Sequence, residues 1–300
     1  MCYDKKIINE NYIEESKMHQ SMKLIGLSSM SIILTACGGS GGGGGSTSPV
    51  YKTNSSTGMS VSVAYTGANI GTPTSIQSGA TYTETVDTNN IIQSASFVAA
   101  NGNSASFDRA KGDSIYTAAP GVNGFSNATQ SALTGYSTYW GWSYQSFGVW
   151  ANGNSTGQVS AGTAGTSTVG ASIPTSGTAT YTGVAAGIFG NATLVYYVTS
   201  GMTATTDFAA RTIALATTNS AASTAVNGTY VSTGGLNLTG TLSYAAGVNS
   251  FSGTVNSSGA TVMTGTAGGQ FYGPTAQEIG GVFAVKNGNL GYIGGFGGKR

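Results

Sequence analysis

The sequence is poor in the residues on which many enzymes and metal proteins depend. Its 300 residues include one histidine and two cysteines, and charged residues make up 7% of the chain. Both His19 and Cys2 precede Cys37, so the chain beyond Cys37 contains neither residue type. This absence excludes a histidine-based catalytic triad, a metal site with His or Cys ligands, and a disulfide from that part of the chain.

Charge is both scarce and balanced beyond Cys37. Seven basic and six acidic residues follow it, and seven minus six leaves a net charge of +1. Because no basic stripe exists, nucleic acid is not expected as a partner. Solubility must instead come from Ser, Thr, Asn and Gly. Thr and Tyr favour strands while helix-forming residues are few, so the composition predicts an all-β fold.

A short apolar stretch, Leu24–Ala36, follows Lys23 and ends directly before Cys37. It is typical of a secretory signal peptide, since a membrane span needs about 20 apolar residues. The sequence Leu-Thr-Ala-Cys resembles a bacterial lipobox, which implies that Cys37 is lipidated and becomes the new N-terminus. The alternative is a chance cysteine after an apolar run, but the glycine-rich residues that follow have the composition of a flexible tether.

Alternating polar and apolar residues recur along the chain, as in Ser60–Tyr65, Thr81–Val86 and Leu236–Tyr244. This period of two predicts half-buried strands. Glycines inside the later strands suit a strongly bent or closed sheet, so we expect an eight-stranded antiparallel barrel near the C-terminus. The Gly/Ser/Thr-rich segment 152–172 is expected to be a loop at a domain boundary.

These patterns predict five parts of the chain. They are an over-extended start (1–21), a lipoprotein signal peptide (22–36), the lipidated Cys37 with its tether (37–49), a β-rich handle domain (50–170) and a β-barrel domain (171–300).

All three tryptophans lie within one short aromatic segment, residues 136–150. If the segment is a strand, Trp140, Trp142 and Tyr144 share one face of it. These residues could then form an aromatic binding surface. The other interpretation is a core strand, because large aromatic side chains dominate protein cores.

The C-terminal third resembles the β-barrel domain of transferrin-binding protein B and its relatives, which include factor H-binding protein. The stretches that carry the resemblance are Pro174–Gly183, Asp207-Phe208 with Arg211, Phe271–Phe283 and Gly294–Arg300. The resemblance implies a handle domain packed on a barrel, in an outer-membrane lipoprotein that is often displayed on the cell surface. It implies no particular binding residue, because the partner-binding loops of the family vary.

The closing stretch Phe271–Phe283 also has its own physical interpretation. Gly273 and Pro274 predict a turn, with a short helical turn from Thr275 to Glu278. Gly280 and Gly281 are expected where a side chain would obstruct the backbone or demand an unfavourable backbone angle. Glu278 is expected to be a buried carboxylate that pins this turn rather than a catalytic acid, since no acid or base partner is evident.

Three functions are therefore considered. The first is a surface lipoprotein that binds a host protein or an iron- or haem-linked solute, with no catalysis and no resident cofactor or metal. The second is a direct haem binder; without histidine, a tyrosine or one of Met59, Met202 and Met263 would have to hold the iron. The third is a structural or adhesive surface lipoprotein.

Overall fold

The computed structural model describes residues 52–300, which form two antiparallel β-sheets in one compact unit. Cys37 and the segments before residue 52 lie outside the described residues. The strands of the first sheet are β1 (Lys52–Thr66), β2 (Asn69–Ile70), β3 (Gln77–Val86), β4 (Ile92–Val98), β5 (Ser104–Asp108), β6 (Ser114–Ala119), β7 (Val122–Ser126), β8 (Gln130–Gly135), β9 (Gln145–Asn152) and β10 (Thr156–Gly165).

The second sheet is built from the remaining nine strands. They are β11 (Thr178–Gly190), β12 (Val195–Asp207), β13 (Thr212–Ser223), β14 (Val231–Ser232), β15 (Leu238–Tyr244), β16 (Phe251–Ser257), β17 (Thr264–Tyr272), β18 (Glu278–Asn287) and β19 (Leu290–Lys299). The helices are short: one α-helical turn, α1 (Ser137–Trp140), and 3₁₀ turns at Arg109–Lys111, Gly170–Ser172 and Gly234–Leu236. Among residues 52–300, no helix has the length and apolar character needed to cross a membrane.

The first sheet curls until it is nearly closed. Its strand order is β5-β4-β3-β1-β10-β9-β8-β7-β6, with β2 paired to β1. Side-chain amides bond to the free edge of β5: Gln130 Oε1 accepts from the Ser106 amide at 3.1 Å, and Asn152 Nδ2 donates to the Ser104 carbonyl at 3.0 Å. These bonds occupy edge groups that would otherwise invite pairing with another chain.

The second sheet closes completely. Strands β11, β19, β18, β17, β16, β15, β13 and β12 follow one another around the ring, and β12 pairs with β13 to complete it. The eight-stranded antiparallel barrel predicted from the alternation and internal glycines is therefore confirmed. Its interior is packed with side chains, and the helical turn at 170–172 leads into Ile173, which is buried in the same core.

Phe271 is the centre of an aromatic cluster inside the barrel. It is fully buried, and four other rings lie with centroids 5.3–6.1 Å from its own, in tilted or edge-on arrangements that aromatic pairs prefer. They belong to Tyr181, Phe208, Tyr244 and Phe251. The closing stretch thus contributes the ring that joins several barrel strands.

The expected loop at 152–172 is wrong for about half of its length. Residues 156–165 form β10, which lies between β1 and β9 in the first sheet, and its second half is buried. The composition was misleading because the small or polar residues of β10 are buried: Gly162 packs under the Trp150 ring, while Ala161 and Thr163 face the barrel. Whether 50–170 and 171–300 behave as separate domains stays a prediction.

The predicted helical turn after Pro274 is also wrong. Residues 273–276 form a tight turn without a helix, and Glu278 already begins β18. Ala276 adopts a φ of 62°, and its carbonyl accepts a 2.7 Å hydrogen bond from the Tyr181 hydroxyl inside the barrel. A right-handed helical turn needs negative φ angles, so the left-handed conformation of Ala276 ends the turn before a helix can form.

Replacing Gly281 with valine should destabilise the protein by about 1–3 kcal/mol, the usual cost of overpacking a core. A Cβ at this position would overlap the Phe296 ring and lie 2.6 Å from the Gly268 carbonyl oxygen. The matched control is Gly234→Val, because an added Cβ there has its nearest neighbour 4.0 Å away. Thermal melting followed by circular dichroism compares the two variants, and equal melting temperatures would contradict this packing.

Candidate functional site

The aromatic segment is a helical turn followed by a loop, not a strand. Helix α1 ends at Trp140, and Gly141 caps it with a φ of 64°, so the backbone reverses before β9 begins at Gln145. The predicted common strand face of Trp140, Trp142 and Tyr144 is therefore wrong. A left-handed glycine after a helical turn breaks the alternation that a strand requires. We call residues 136–144 the aromatic turn.

The three predicted residues differ in how accessible they are. Trp142 is buried, whereas Trp140 and Tyr144 are half-buried. The Trp140 and Trp142 rings stack with their centroids 6.1 Å apart, and Trp140 Nε1 donates to the Gly121 carbonyl at 3.0 Å. Trp142 is thus a core residue, as the alternative interpretation expected, and the other two remain candidates for binding.

The most accessible aromatic ring of the turn was missed from sequence. Tyr139 is 58% exposed and packs edge-on against Trp140, with ring centroids 5.2 Å apart. The signal that could have identified it is Gly141, since a glycine directly after Ser-Thr-Tyr-Trp is compatible with a C-capped helical turn. In such a turn, neighbouring aromatic residues point in different directions.

A buried carboxylate holds the aromatic turn to the barrel. Glu278, the first residue of β18, has no solvent-exposed surface. Its Oε1 accepts from the Ser143 amide at 2.7 Å, and its Oε2 accepts from the amides of Tyr144 at 2.9 Å and Gln145 at 3.0 Å. Glu278 is therefore buried and hydrogen-bonded, as expected. It holds the aromatic turn of the first sheet, however, and not the turn at 273–276 that precedes it in the barrel.

Burial raises the pKa of Glu278 above its ordinary value, because desolvation disfavours the charged form. The three amide donors and the positive charge of Lys299 act in the opposite direction and limit the shift. A carboxylate that faces three backbone donors and offers no free oxygen to a ligand suits a structural contact. Proton transfer would require access that this position lacks.

Two further contacts join the first sheet and the barrel, and one of them involves the aromatic turn. Lys299, which pairs with Glu278 across β18 and β19, donates from Nζ to the Gly141 carbonyl at 2.6 Å. Nearby, the hydroxyls of Thr163 and Tyr272 lie 3.0 Å apart and share a buried hydrogen bond. Both ends of the loop that follows α1 are thus bonded to the barrel.

Glycines on the barrel wall let the first sheet approach closely. A Cβ on Gly280 would lie 2.6 Å from Thr163 Oγ1, and one on Gly297 would overlap the Gln145 side chain. Gly280 therefore lies where a side chain would obstruct packing, as expected, although its φ is not positive. The buried side-chain amide of Gln145 has no hydrogen-bond partner among the described residues, so close packing against Gly280 and Gly297 fixes its position.

The boundary between the two sheets is itself a hydrophobic core, which we call the seam. Val149 and Val159 of the first sheet belong to the same buried cluster as Val184, Val282 and Ile293 on the outer wall of the barrel. Trp142 of the aromatic turn belongs to the same cluster, so the turn rests on this packed core.

The methionines proposed as haem ligands do not form a site. Met202 and Met263 are buried in the core of the barrel, and Met59 is half-buried in β1. Side chains that fill a packed core leave no room for a haem group. In the described part of the chain, no three His, Cys, Asp or Glu side chains come together in a way that could hold a metal.

A small cavity of about 130 Å³ lies at the seam and has two tyrosines among its lining residues. The Tyr65 hydroxyl donates to the Gly153 carbonyl at 2.6 Å, and the Tyr197 hydroxyl lies 2.7 Å from Ser131 Oγ. Burial raises the pKa of both tyrosines. A raised pKa disfavours the phenolate that would bind iron, and the volume is below that of typical ligand pockets.

Comparison with known proteins identifies the barrel. Residues 173–300 match the family described as the C-lobe and N-lobe β-barrels of transferrin-binding protein B. This part of the chain is therefore similar to those barrel domains. The resemblance expected from Phe271–Phe283 and the other stretches is confirmed. A search of curated proteins found no match.

Solved structures with similar architecture include two transferrin-binding proteins B. A variant from Haemophilus parasuis is 19% identical with a TM-score of 0.43, and the match covers 73% of this chain and 51% of the Haemophilus chain. The protein from Neisseria meningitidis is 18% identical with a TM-score of 0.44, and the match covers 75% of this chain and 44% of the Neisseria chain. The chain thus spans about half the length of these proteins. A surface lipoprotein is 14% identical with a TM-score of 0.39, over 80% of this chain and 98% of its own.

Glu278→Gln should destabilise the protein by about 1–3 kcal/mol, because an amide NH₂ would face one or two of the backbone donors that the carboxylate now accepts. The matched control is Glu84→Gln. Half-buried Glu84 accepts from the Tyr82 hydroxyl at 2.6 Å, and a glutamine carbonyl can accept the same bond. Urea unfolding measures both variants. A loss of unfolding free energy in Glu278→Gln that is no larger than the loss in Glu84→Gln would contradict the assigned role of Glu278.

Proposed function

We propose that this protein is a lipid-anchored protein of the outer-membrane surface that binds a host protein and performs no catalysis. The observation that carries the proposal is the match of residues 173–300 to the barrels of transferrin-binding protein B. The name of that family makes transferrin the first partner to test. An iron- or haem-linked carrier is the wider class to which such a partner belongs.

The binding surface in this proposal is centred on the exposed side of the aromatic turn. Tyr139 is largely exposed and Trp140 lies against it. The exposed residues Lys299, which ends β19, and Arg300, which follows it, add positive charge. Lys299 reaches Gly141 directly, which places positive charge beside the aromatic rings. Tyr, Trp and Arg are the residues enriched at the energetic centres of protein interfaces.

The turn is also preorganised for binding. Its backbone is held by Glu278 and Lys299, and Trp140 is held by its bond to Gly121. Less conformational entropy is then lost when a partner binds, which favours affinity without additional contacts. An aromatic surface on a mobile loop would lack this advantage.

Tyr139→Ala should weaken binding of the host protein by about tenfold or more, the effect of losing a strong interface residue. The full chain carrying Cys37→Ser is immobilised and exposed to serum from candidate hosts and, separately, to purified transferrin. The control is Ile91→Ala, which removes a side chain that is 47% exposed on the turn between β3 and β4. The chain with Tyr139 and Ile91 intact is expected to retain one stoichiometric serum protein. The affinity for that protein should fall in Tyr139→Ala and stay unchanged in Ile91→Ala.

Two outcomes would count against this proposal in different ways. If no serum protein is retained by the chain with Tyr139 intact, the proposed function is wrong. If a protein is retained equally by the Tyr139→Ala and Ile91→Ala variants, the function stands but the aromatic turn is not its binding surface.

Cys37 is proposed as the anchor because it directly follows the short apolar stretch that ends at Ala36. Cells expressing the protein with labelled palmitate should incorporate the label into the chain with Cys37 and not into Cys37→Ser. The label should stay with the outer-membrane fraction after lysis. Equal incorporation in both chains would remove the lipoprotein interpretation.

A further inference from the structure

The two edge strands of the first sheet, β5 and β6, differ in how well their backbone groups are occupied. At β5, side chains bond the outward groups of Ser104 and Ser106, and the Asp108 amide donates to Asp113 Oδ2 at 2.9 Å. Exposed edges invite pairing with other chains, and proteins normally protect them in such ways. The other edge strand is β6, which pairs with β7 alone.

The hydrogen-bonding pattern shows which groups of β6 point outward. In an antiparallel pair, alternate residues turn their N–H and C=O toward the partner strand. The Gly121 carbonyl accepts from the Tyr136 amide at 2.8 Å, so alternate residues of β7, counted from Gly121, face β8. The residues between them face β6, and Tyr116 is paired with one of these. Tyr116 therefore turns its N–H and C=O toward β7, whereas its neighbours Ile115 and Thr117 turn theirs away from it.

Thr117 is the open position on this edge. Its N–H and C=O have no hydrogen-bond partner in the described part of the chain, and the residue is exposed. The neighbouring outward carbonyl, that of Ile115, is occupied because Arg109 Nη2 donates to it at 2.7 Å. The edge is thus capped by a guanidinium group at Ile115 and left free at Thr117.

An extended peptide backbone is the ligand that this position fits. A residue placed opposite Thr117 in an antiparallel strand would accept from its N–H and donate to its C=O, as hydrogen-bonded pairs within a sheet do. A helix bonds its own backbone groups along its length and could not offer them in return. Main-chain pairing of this kind supplies affinity, and the alternate side chains of the added strand supply specificity.

The strand is anchored well enough to act as a template. Ile115 is buried in the core of the first sheet, while half-buried Tyr116 and Ala118 pack against the seam. Little conformational freedom would be lost when a segment pairs with such a strand. Beyond β6, the carbonyl of Gly121 accepts from Trp140 Nε1. A segment paired with β6 would thus extend toward the aromatic turn.

We propose that the edge of β6, centred on Thr117, binds an extended peptide segment of a partner protein by strand addition. The pairing itself follows from the backbone of this chain. The inference rests on the proposed function only for the identity of the protein that supplies the segment, which would be the host protein. Its segment would add backbone hydrogen bonds to the side-chain contacts made at the aromatic turn.

A phage-displayed library of short random peptides, selected on the full chain carrying Cys37→Ser, supplies the probe. The most enriched peptide is synthesised and titrated against this chain and two variants of it. Thr117→Pro removes the outward N–H and should weaken binding by about tenfold or more. Proline is tolerated at sheet edges, where the fold does not use that N–H, and thermal melting checks this. The matched control, Thr117→Val, keeps the N–H and the branched side-chain shape, so the affinity should stay unchanged.

Methylation of the peptide's own amides keeps the test decisive if Thr117→Pro fails to fold. In strand addition, only alternate amides of the peptide face β6. Two versions of the peptide, each methylated at one of the two alternate sets of amides, should therefore differ. One should lose about tenfold or more in affinity for the chain with Thr117 intact, and the other should bind as the unmethylated peptide does.

The proposal is overturned if no peptide is selected, if Thr117→Pro and Thr117→Val bind the peptide equally, or if the two methylated peptides have equal affinities. A dimer of the chain that is lost in Thr117→Pro would assign the edge to a second copy and would also overturn it. Retention of a serum protein is measured separately. If the edge binds the peptide as expected but the chain retains no serum protein, strand addition stands and the proposed function is wrong.

Discussion

The buried carboxylate of Glu278 is the contact on which the junction of the two sheets depends. Removing a charge from water costs several kcal/mol unless hydrogen bonds compensate for the lost solvation. Here three consecutive backbone amides, from residues 143–145, supply that compensation. These amides are more than 130 residues away in the chain, so a single side chain of the barrel fixes the backbone of the other sheet.

The consequences for function follow from this arrangement. The aromatic turn belongs to the first sheet by sequence, but its position is set by Glu278 and Lys299 of the barrel. The seam adds a continuous hydrophobic core between the two sheets. A partner that binds at Tyr139 would therefore meet a surface whose geometry depends on both sheets.

Sequence patterns predicted the parts of the structure that local periodicity determines. The barrel followed from alternating strands with internal glycines, and the stretch Phe271–Phe283 carried the family resemblance. The failures have physical causes. Strand β10 has the composition of a loop but is buried, because Gly162 packs under Trp150 on one face and Ala161 and Thr163 pack toward the barrel on the other. The turn at Gly141 was missed because its aromatic neighbours suggested a strand. The partners of Glu278 could not be predicted, since no local pattern reports a contact over such a separation.

Hydrogen exchange of individual amides tests the central claim most directly. If the Glu278 carboxylate holds the aromatic turn to the barrel, the amides of residues 143–145 should exchange as slowly as those in the middle of β18. They would then open only when the whole unit unfolds. Exchange of these three amides that is orders of magnitude faster, while the β18 amides stay protected, would show that the turn detaches on its own and would contradict the account.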